Sequence, residues 1–271
     1  MSSAPGFSVY KKKVNGYLVE ILDNGDHRSL YFASEHLQSR MSLSSPQTLI
    51  LPYTQYMAAS LLLQPDPRDI LIVGIGAGSL VRFYSHHFPG CYIDGVDSSP
   101  HILALAQGYF RLRESEQIVL HCQDGLEFLQ DTVNKSYDLI LVDAFDDQGM
   151  APTIYSAQFF AACSARLKNG GVMSCNLWSS DAPRYRDIKA LIAGHFADAL
   201  YLPVPQRGNI VALAMTGPIP WRLLARKDKD LNKLASRYQI DFKEVAGVAR
   251  ANNLSLSQRL LAFWRDAAGG R

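Results

Sequence analysis

The sequence lacks a long apolar run. The longest, around "ILIVG" at residues 70–74, is far short of the about 20 residues needed to cross a bilayer, so no membrane-spanning segment is expected. The N-terminus, "MSSAPGFSVYKKK", has no apolar stretch ahead of its charges, which argues against a secretory leader and for a cytoplasmic location. Cysteine is scarce: Cys91, Cys122, Cys163 and Cys175 stand far apart with no C-x-x-C spacing. That excludes a disulfide framework and a thiolate zinc site, and reduced thiols are expected. The histidines show no ligand spacing; His86 and His87 are adjacent, and neighbours in sequence do not share a helix face. No metal is expected. Internal repeats and low-complexity tracts are also missing.

Charge of one sign is lacking too. The net charge of the 271 residues is +2. Its distribution is uneven, because residues 221–271 hold 11 Lys and Arg against 5 Asp and Glu, and the remaining 220 hold 16 against 20. A mildly acidic body argues against a broad nucleic-acid surface. The basic C-terminal stretch reads as an amphipathic helical cap or dimer contact, with no aromatic or glycine interleaving to mark a nucleic-acid partner.

What the sequence does have is a change of pattern. Residues 7–50 read as short strands broken at Asn15-Gly16 and Asn24-Gly25, pairs that suit tight hairpin turns because both residues tolerate positive φ. Residues 51–63 read as a helix, and "QPDPRD" (64–69) as a linker, since two prolines forbid a helix. From residue 70 strands and helices alternate. Strands are expected at 70–74, 91–97, 117–122, 137–143 and 171–177, and helices at 78–87, 99–110, 124–131 and 155–168. Strands such as "YDLILVDAF" are apolar on both faces, as in a parallel sheet covered by helices. This predicts an α/β fold with a doubly wound, mostly parallel sheet, closed by an antiparallel pair within 199–216. A small N-terminal β-rich domain (1–63) precedes the nucleoside-binding domain (64–220), and a basic helical tail (221–271) follows, with "LSLSQRLLAFW" as one helical pattern.

The chemistry gathers at the carboxyl ends of the strands, where open sheets bind ligands. Gly74, Gly76 and Gly78 end the first strand and open a helix; without side chains the backbone passes close to a ligand. Asp97 ends the second strand, placed to accept hydrogen bonds from ribose hydroxyls, or to cap the helix after it. Asp124 ends the third, where a carboxylate binds an exocyclic amine of adenine or caps its helix. Asp143, Asp146 and Asp147 end the fourth. Five carboxylates in one crevice repel one another unless something positive binds there. A sulfonium nucleoside and an amine fit; an anionic dinucleotide does not. Tyr155 lies at the start of the next helix, at the amine site or packed in the core. Arg82 reads as part of a solvated helix face, and Trp178 and Trp221 as core.

In "GIGAGS", "GVDSSP", "CQDGLEFL", "YDLILVDAFDDQG", "YSAQFF", "LKNGGVM" and "GNIVAL" the chain resembles the spermidine/spermine synthases, the polyamine aminopropyltransferases, which share the Rossmann-like fold of class I S-adenosylmethionine-dependent methyltransferases. The resemblance implies decarboxylated S-adenosylmethionine as co-substrate, or S-adenosylmethionine itself, bound across Gly74, Gly76 and Gly78, with Asp97 on the ribose, Asp124 and Gly125 near the adenine, and Gln38 beside the nucleoside. It implies that Asp143 orients a small amine substrate and helps remove its proton, that Asp146 holds a cationic end of a substrate, that Tyr155 belongs to the amine site, and that the chain forms a homodimer. The nucleoside half of the family pattern is kept and the amine half is altered. Ala77 stands where the family has an acidic residue, Thr54-Gln55-Tyr56 where it has a tyrosine followed by a glutamate two places on, and Pro205 where it has a tyrosine. Two other readings therefore stand beside aminopropyl transfer: methyl transfer from S-adenosylmethionine, and nucleoside binding without turnover.

Overall fold

The structure is a computed structural model and describes residues 6–14, 16–32, 36–132, 134–146, 149–150, 153–224 and 227–254. Four antiparallel strands come first, side by side in chain order: β1 (Phe7–Val14), β2 (Tyr17–Asn24), β3 (His27–Phe32) and β4 (His36–Ser42). The first turn includes Gly16 at φ +93°, as expected; Asn15 lies outside the described residues. The second turn sits one residue later than the expected Asn24-Gly25 pair. Asn24 still pairs with His27, so the loop residues are Gly25 and Asp26. The Asp26 carboxylate explains the shift. It accepts hydrogen bonds from the Ser44 N–H at 2.8 Å and the Ser42 hydroxyl at 2.5 Å, stapling the turn to the end of β4.

Helix α1 (Pro52–Met57) runs on into a 3₁₀ turn at Ala58–Leu62, within the expected helix. The alternating part then follows: β5 (Asp69–Val73), α2 (Ser79–His87), β6 (Tyr92–Asp97), α3 (Pro100–Tyr109), β7 (Ile118–Cys122), α4 (Gly125–Asp131) and β8 (Tyr137–Val142). A two-residue pair, β9 (Phe145–Asp146) and β10 (Gly149–Met150), comes next, then α5 (Ala157–Arg166), β11 (Leu167–Trp178), α6 (Ala182–His195), β12 (Asp198–Pro203) and β13 (Asn209–Met215). The seven-stranded sheet has the order β12-β13-β11-β8-β5-β6-β7. β11, β8, β5, β6 and β7 run parallel, and β13 lies antiparallel between β11 and β12. The expected α/β class and its closing antiparallel pair are thus observed. The chain leaves β5 toward β6 and β7, then returns to the other side at β8. The crevice between the ends of β5 and β8 is therefore the topological switch point, where such sheets bind ligands.

Alternation along the strands sorts the core. Leu71 and Val73 of β5 face a cluster with Phe128, Phe159, Phe160, Ile188 and Ile192 from α4, α5 and α6. Ile70 and Ile72 face the other cluster, with Met57, Leu61, Val81 and Phe83. Helix α6 was not legible in the sequence: of its 14 residues only Ile188 and Ile192 are buried, and one i,i+4 pair is too thin a stripe to read. The basic C-terminal stretch joins the same core. Leu231 of α7 (Asp228–Tyr238) and Phe242, Val245 and Ala249 of α8 (Phe242–Asn253) belong to the cluster that includes Ile70 and Val211. Asn253 brackets Tyr201 of β12, donating to its carbonyl at 3.0 Å and accepting from its N–H at 2.8 Å. Of "LSLSQRLLAFW", all but Leu254 lies outside the described residues. A third cluster joins Val19, Ile21, Leu30 and Met41 of the N-terminal sheet to Ala77, Ile102 and Phe110. It brings β4 against the glycine turn.

Candidate active site

Strand β5 ends at Val73, whose carbonyl accepts the Asp143 N–H at 2.8 Å. Gly74, Gly76 and Gly78 follow at φ +88°, +52° and +75°. What the turn approaches most closely is the protein itself. A Cβ on Gly74 would stand 2.3 Å from the Asp143 carbonyl oxygen, and one on Gly76 2.9 Å from Ser39 Oγ. The turn is held by acceptors around it. Asp97 Oδ2 accepts the Ile75 N–H at 2.9 Å, and Ser39 Oγ the Ala77 N–H at 3.2 Å. Ala77, where the resembled family has its acidic residue, is fully buried beneath the N-terminal sheet.

Asp97 does not cap α3. Ser99 does, accepting from the Ile102 N–H, and Asp97 Oδ1 accepts the Ser99 N–H at 2.9 Å. The carboxylate thus ties the glycine turn to the end of β6, and burial raises its pKa against three backbone N–H bonds that lower it. Asp124 is the cap of α4: one oxygen accepts from the N–H groups of Leu126 and Glu127, and the other takes the Thr153 hydroxyl at 3.2 Å. Gly125 is needed for packing, since a Cβ would lie 2.6 Å from Val73 Cγ1. The predicted repulsion among the carboxylates is therefore relieved within the protein at Asp97 and Asp124, each of which has its own donors.

Asp143 is different. Its partners are side chains: Asn176 Nδ2 donates to Oδ1 at 2.8 Å, and the Tyr53 hydroxyl to Oδ2 at 3.1 Å. Burial pushes its pKa up to about 6, with Asn176 and Tyr53 pulling the other way. It lines a cleft with Ser39, Tyr53, Gly74, Ile75 and Ser79, which combines the glycine turn and one carboxylate. Gln38 borders this cleft through its carbonyl, 3.3 Å from the Tyr53 hydroxyl. Tyr155 stands behind Asp143, buried, with its hydroxyl donated to the Asn176 carbonyl at 2.8 Å. Asp146 lies in β9, its backbone paired with Gly149; Asp147 lies outside the described residues.

Three groups at this site were not assigned a role from the sequence. Tyr53 reaches Asp143, whereas Tyr56, which the sequence match aligned with the family motif, bonds Glu244. Asn176 stands in an otherwise mostly apolar part of β11 and Asn209 opens β13, which is a signal, but one that carries no direction. Arg82 corrects an expectation. It is 8% exposed, not part of a solvated face. Its guanidinium donates to the carbonyls of Pro46 (2.9 Å), Phe110 (2.8 Å) and Ala77, clamping the glycine turn from below. Desolvation and the neighbouring Arg111 lower its pKa to about 10, so it stays charged. Arg82→Leu strands three carbonyls and is expected to cost about 3 kcal/mol, read as a lower midpoint in urea unfolding. Trp178, expected in the core, is 40% exposed and lies over Gly208, where a Cβ would stand 3.1 Å from the indole.

Residues 51–186 match the spermine/spermidine synthase domain. The chain is 30% identical to the polyamine aminopropyltransferase of Chromobacterium violaceum over 247 residues, 90% of this chain and 93% of that one. It is also 30% identical to the polyamine aminopropyltransferase of Neisseria meningitidis serogroup A over 237 residues, 87% of this chain and 90% of that one. Spermidine synthase from Thermotoga maritima has the same fold, with a TM-score of 0.68 at 16% identity, covering 92% of this chain and 84% of the other. With a switch-point carboxylate beside a glycine turn, and relatives matched over nearly their whole length, this chain belongs to the spermine/spermidine synthase family.

Proposed function

We propose that the protein transfers an aminopropyl group from decarboxylated S-adenosylmethionine to an amine, putrescine or a related polyamine, releasing methylthioadenosine. The observation that carries this reading is Asp143: a half-buried carboxylate at the switch point, bonded by a tyrosine and an amide and adjoining the glycine turn. In the transfer, the amine lone pair forms a C–N bond to the methylene beside the sulfonium. The C–S bond breaks with its electron pair going to sulfur, and a proton leaves the nitrogen. Asp143 is suited to accept an N–H of the attacking amine. With a pKa near 6 it is charged at pH 7.5, yet a better proton acceptor than a surface carboxylate. Much of the rate would come from positioning, since the sulfonium is already a good electrophile. Asp97, beside the glycine turn, would take the ribose hydroxyls. Asp124 and Gly125 lie at the adenine rim, and Gln38 borders the cleft. Asp146, which follows in β9, would hold a second cationic group, as the family resemblance implies. Tyr155 acts through Asn176 and not on the amine.

No helix among the described residues is long and apolar enough to cross a membrane. A cytoplasmic homodimer acting on small amines, with no nucleic-acid partner, completes the proposal. The test is methylthioadenosine release by the purified chain, given decarboxylated S-adenosylmethionine and a panel of diamines and polyamines. Release that depends on the amine is expected. No release with any amine, or formation of S-adenosylhomocysteine from S-adenosylmethionine, overturns the reading.

A further inference from the structure

We propose that Asn176 and Asn209 form a positioning relay that keeps the Asp143 carboxylate ionised and aimed at the cleft, so that neither asparagine touches substrate but both set the acidic limit of activity. The inference deepens the proposed role of Asp143 and rests on that reading only for its effect on turnover.

The relay is a chain of donors with one direction. Asn209 Nδ2 donates to Asn176 Oδ1 at 3.0 Å, and Asn176 Nδ2 donates to Asp143 Oδ1 at 2.8 Å. Asn176 is 2% exposed and Asn209 9%, within β11 and β13, whose other buried positions are mostly apolar. Two buried amides contribute less to stability than well-packed apolar side chains would, because each must first be desolvated. Their place is explained by what they face. Tyr53 approaches Asp143 from α1 and Asn176 from β11. The nearby titratable groups, Cys175 and Tyr155, are both held neutral by burial, Arg184 acts on Tyr155, and Asp146 follows three residues after Asp143. Among the described residues no Lys, Arg or His is paired with Asp143. The donors that stabilise its charge are the Asn176 amide, the shorter of the two bonds, and the Tyr53 hydroxyl.

An asparagine amide can turn either its NH₂ or its oxygen toward a neighbour. Turned the wrong way, Asn176 would face the carboxylate with a second acceptor, and the protonated acid would be favoured. The observed orientation is self-consistent: the Asn209 NH₂ occupies the Asn176 oxygen, which leaves the Asn176 NH₂ for the carboxylate. The Asn176 backbone is fixed in turn by the Tyr155 hydroxyl on its carbonyl. Register supports the pairing: Asn209 lies opposite Trp178, two residues beyond Asn176 on the adjacent strand, and so on the same sheet face.

The experiment is a carboxyl ¹³C titration of Asp143 in the full chain without substrate, for wild type, Asn176→Leu and Asn209→Leu, alongside the pH dependence of turnover. Asn176→Leu should move the Asp143 titration up by about one unit, a tenfold loss of carboxylate at pH 5. Asn209→Leu should move it in the same direction by less. The acidic limb of turnover should shift equally, with activity recovered above pH 8. An unmoved titration in a folded Asn209→Leu, or a loss of turnover that is the same at every pH, overturns the relay. If Asn209→Leu does not fold, Asn209→Ser, with a shorter donor, is read in the same way. Because the titration needs no turnover, it remains decisive even if the chain transfers no aminopropyl group.

Discussion

Asp143→Asn is expected to lower turnover by about a hundredfold or more and at the same time to make the folded protein more stable at neutral pH. The two effects have one origin. The carboxyl has an ordinary pKa of 3.8 and is pushed up to about 6 in the fold. The folded state therefore disfavours the charged form. The stability associated with this group is fully present below pH 3.8 and is lost as pH rises through 6. Above that, the ionised carboxylate costs up to about 3 kcal/mol, an upper figure because the residue keeps some contact with solvent. Asparagine has nearly the same shape, can still accept from Asn176, and never ionises. Thermal unfolding at pH 8 should show the variant with the higher midpoint, while at pH 3.5 the two proteins should unfold alike. A variant that is less stable at pH 8 would mean that the carboxylate is a structural anchor, and its catalytic assignment would lose its physical basis.

Much of this architecture can be read from the sequence, because parallel strands buried on both faces are written as unbroken apolar runs. "DILIV" and "YDLILV" became β5 and β8 within a residue of expectation. The acidic ends of those strands were legible for the same reason, since a carboxylate directly after an apolar strand lies at the rim of the sheet. What each carboxylate is bonded to was not legible. Asp97 and Asp124 turn to backbone N–H groups within their own segments or across the turn. The partners of Asp143 come from positions 90 and 33 residues away. Tyr53 lies on a short helix, Asn176 stands two places after Ser174 in β11, and Asn209 opens β13. Their convergence is a product of strand order, and strand order is not a local property. The C-terminal stretch was read from its uneven charge as a basic amphipathic cap or dimer contact, and its helices α7 and α8 pack into the core. Net charge reports the exposed face, and the buried one, with Leu231, Phe242 and Val245, is as apolar as the rest of the core.

The glycine turn yields the other large effect. Gly74→Ala is expected to abolish the folded state or to cost more than about 4 kcal/mol, a loss outside the range of ordinary substitutions. At φ +88° an alanine is already strained. Its Cβ would also fall 2.3 Å from the carbonyl oxygen of Asp143 and 2.6 Å from the carbonyl carbon. Those are backbone atoms of the loop that opens the active site, tied to β5 through the Asp143 N–H, and they cannot swing aside as a side chain would. Gly170→Ala is the control. It too has a positive φ, +79°, but nothing lies within 4 Å of its Cβ position, so it should lose only the about 1–2 kcal/mol of backbone strain. Urea unfolding of the two variants separates the explanations for glycine here. If Gly74→Ala unfolds like Gly170→Ala and loses only nucleoside binding, the glycine serves the ligand. If it collapses as expected, the first glycine of the turn is there so that two strand ends can meet, and the crevice they form follows from that meeting.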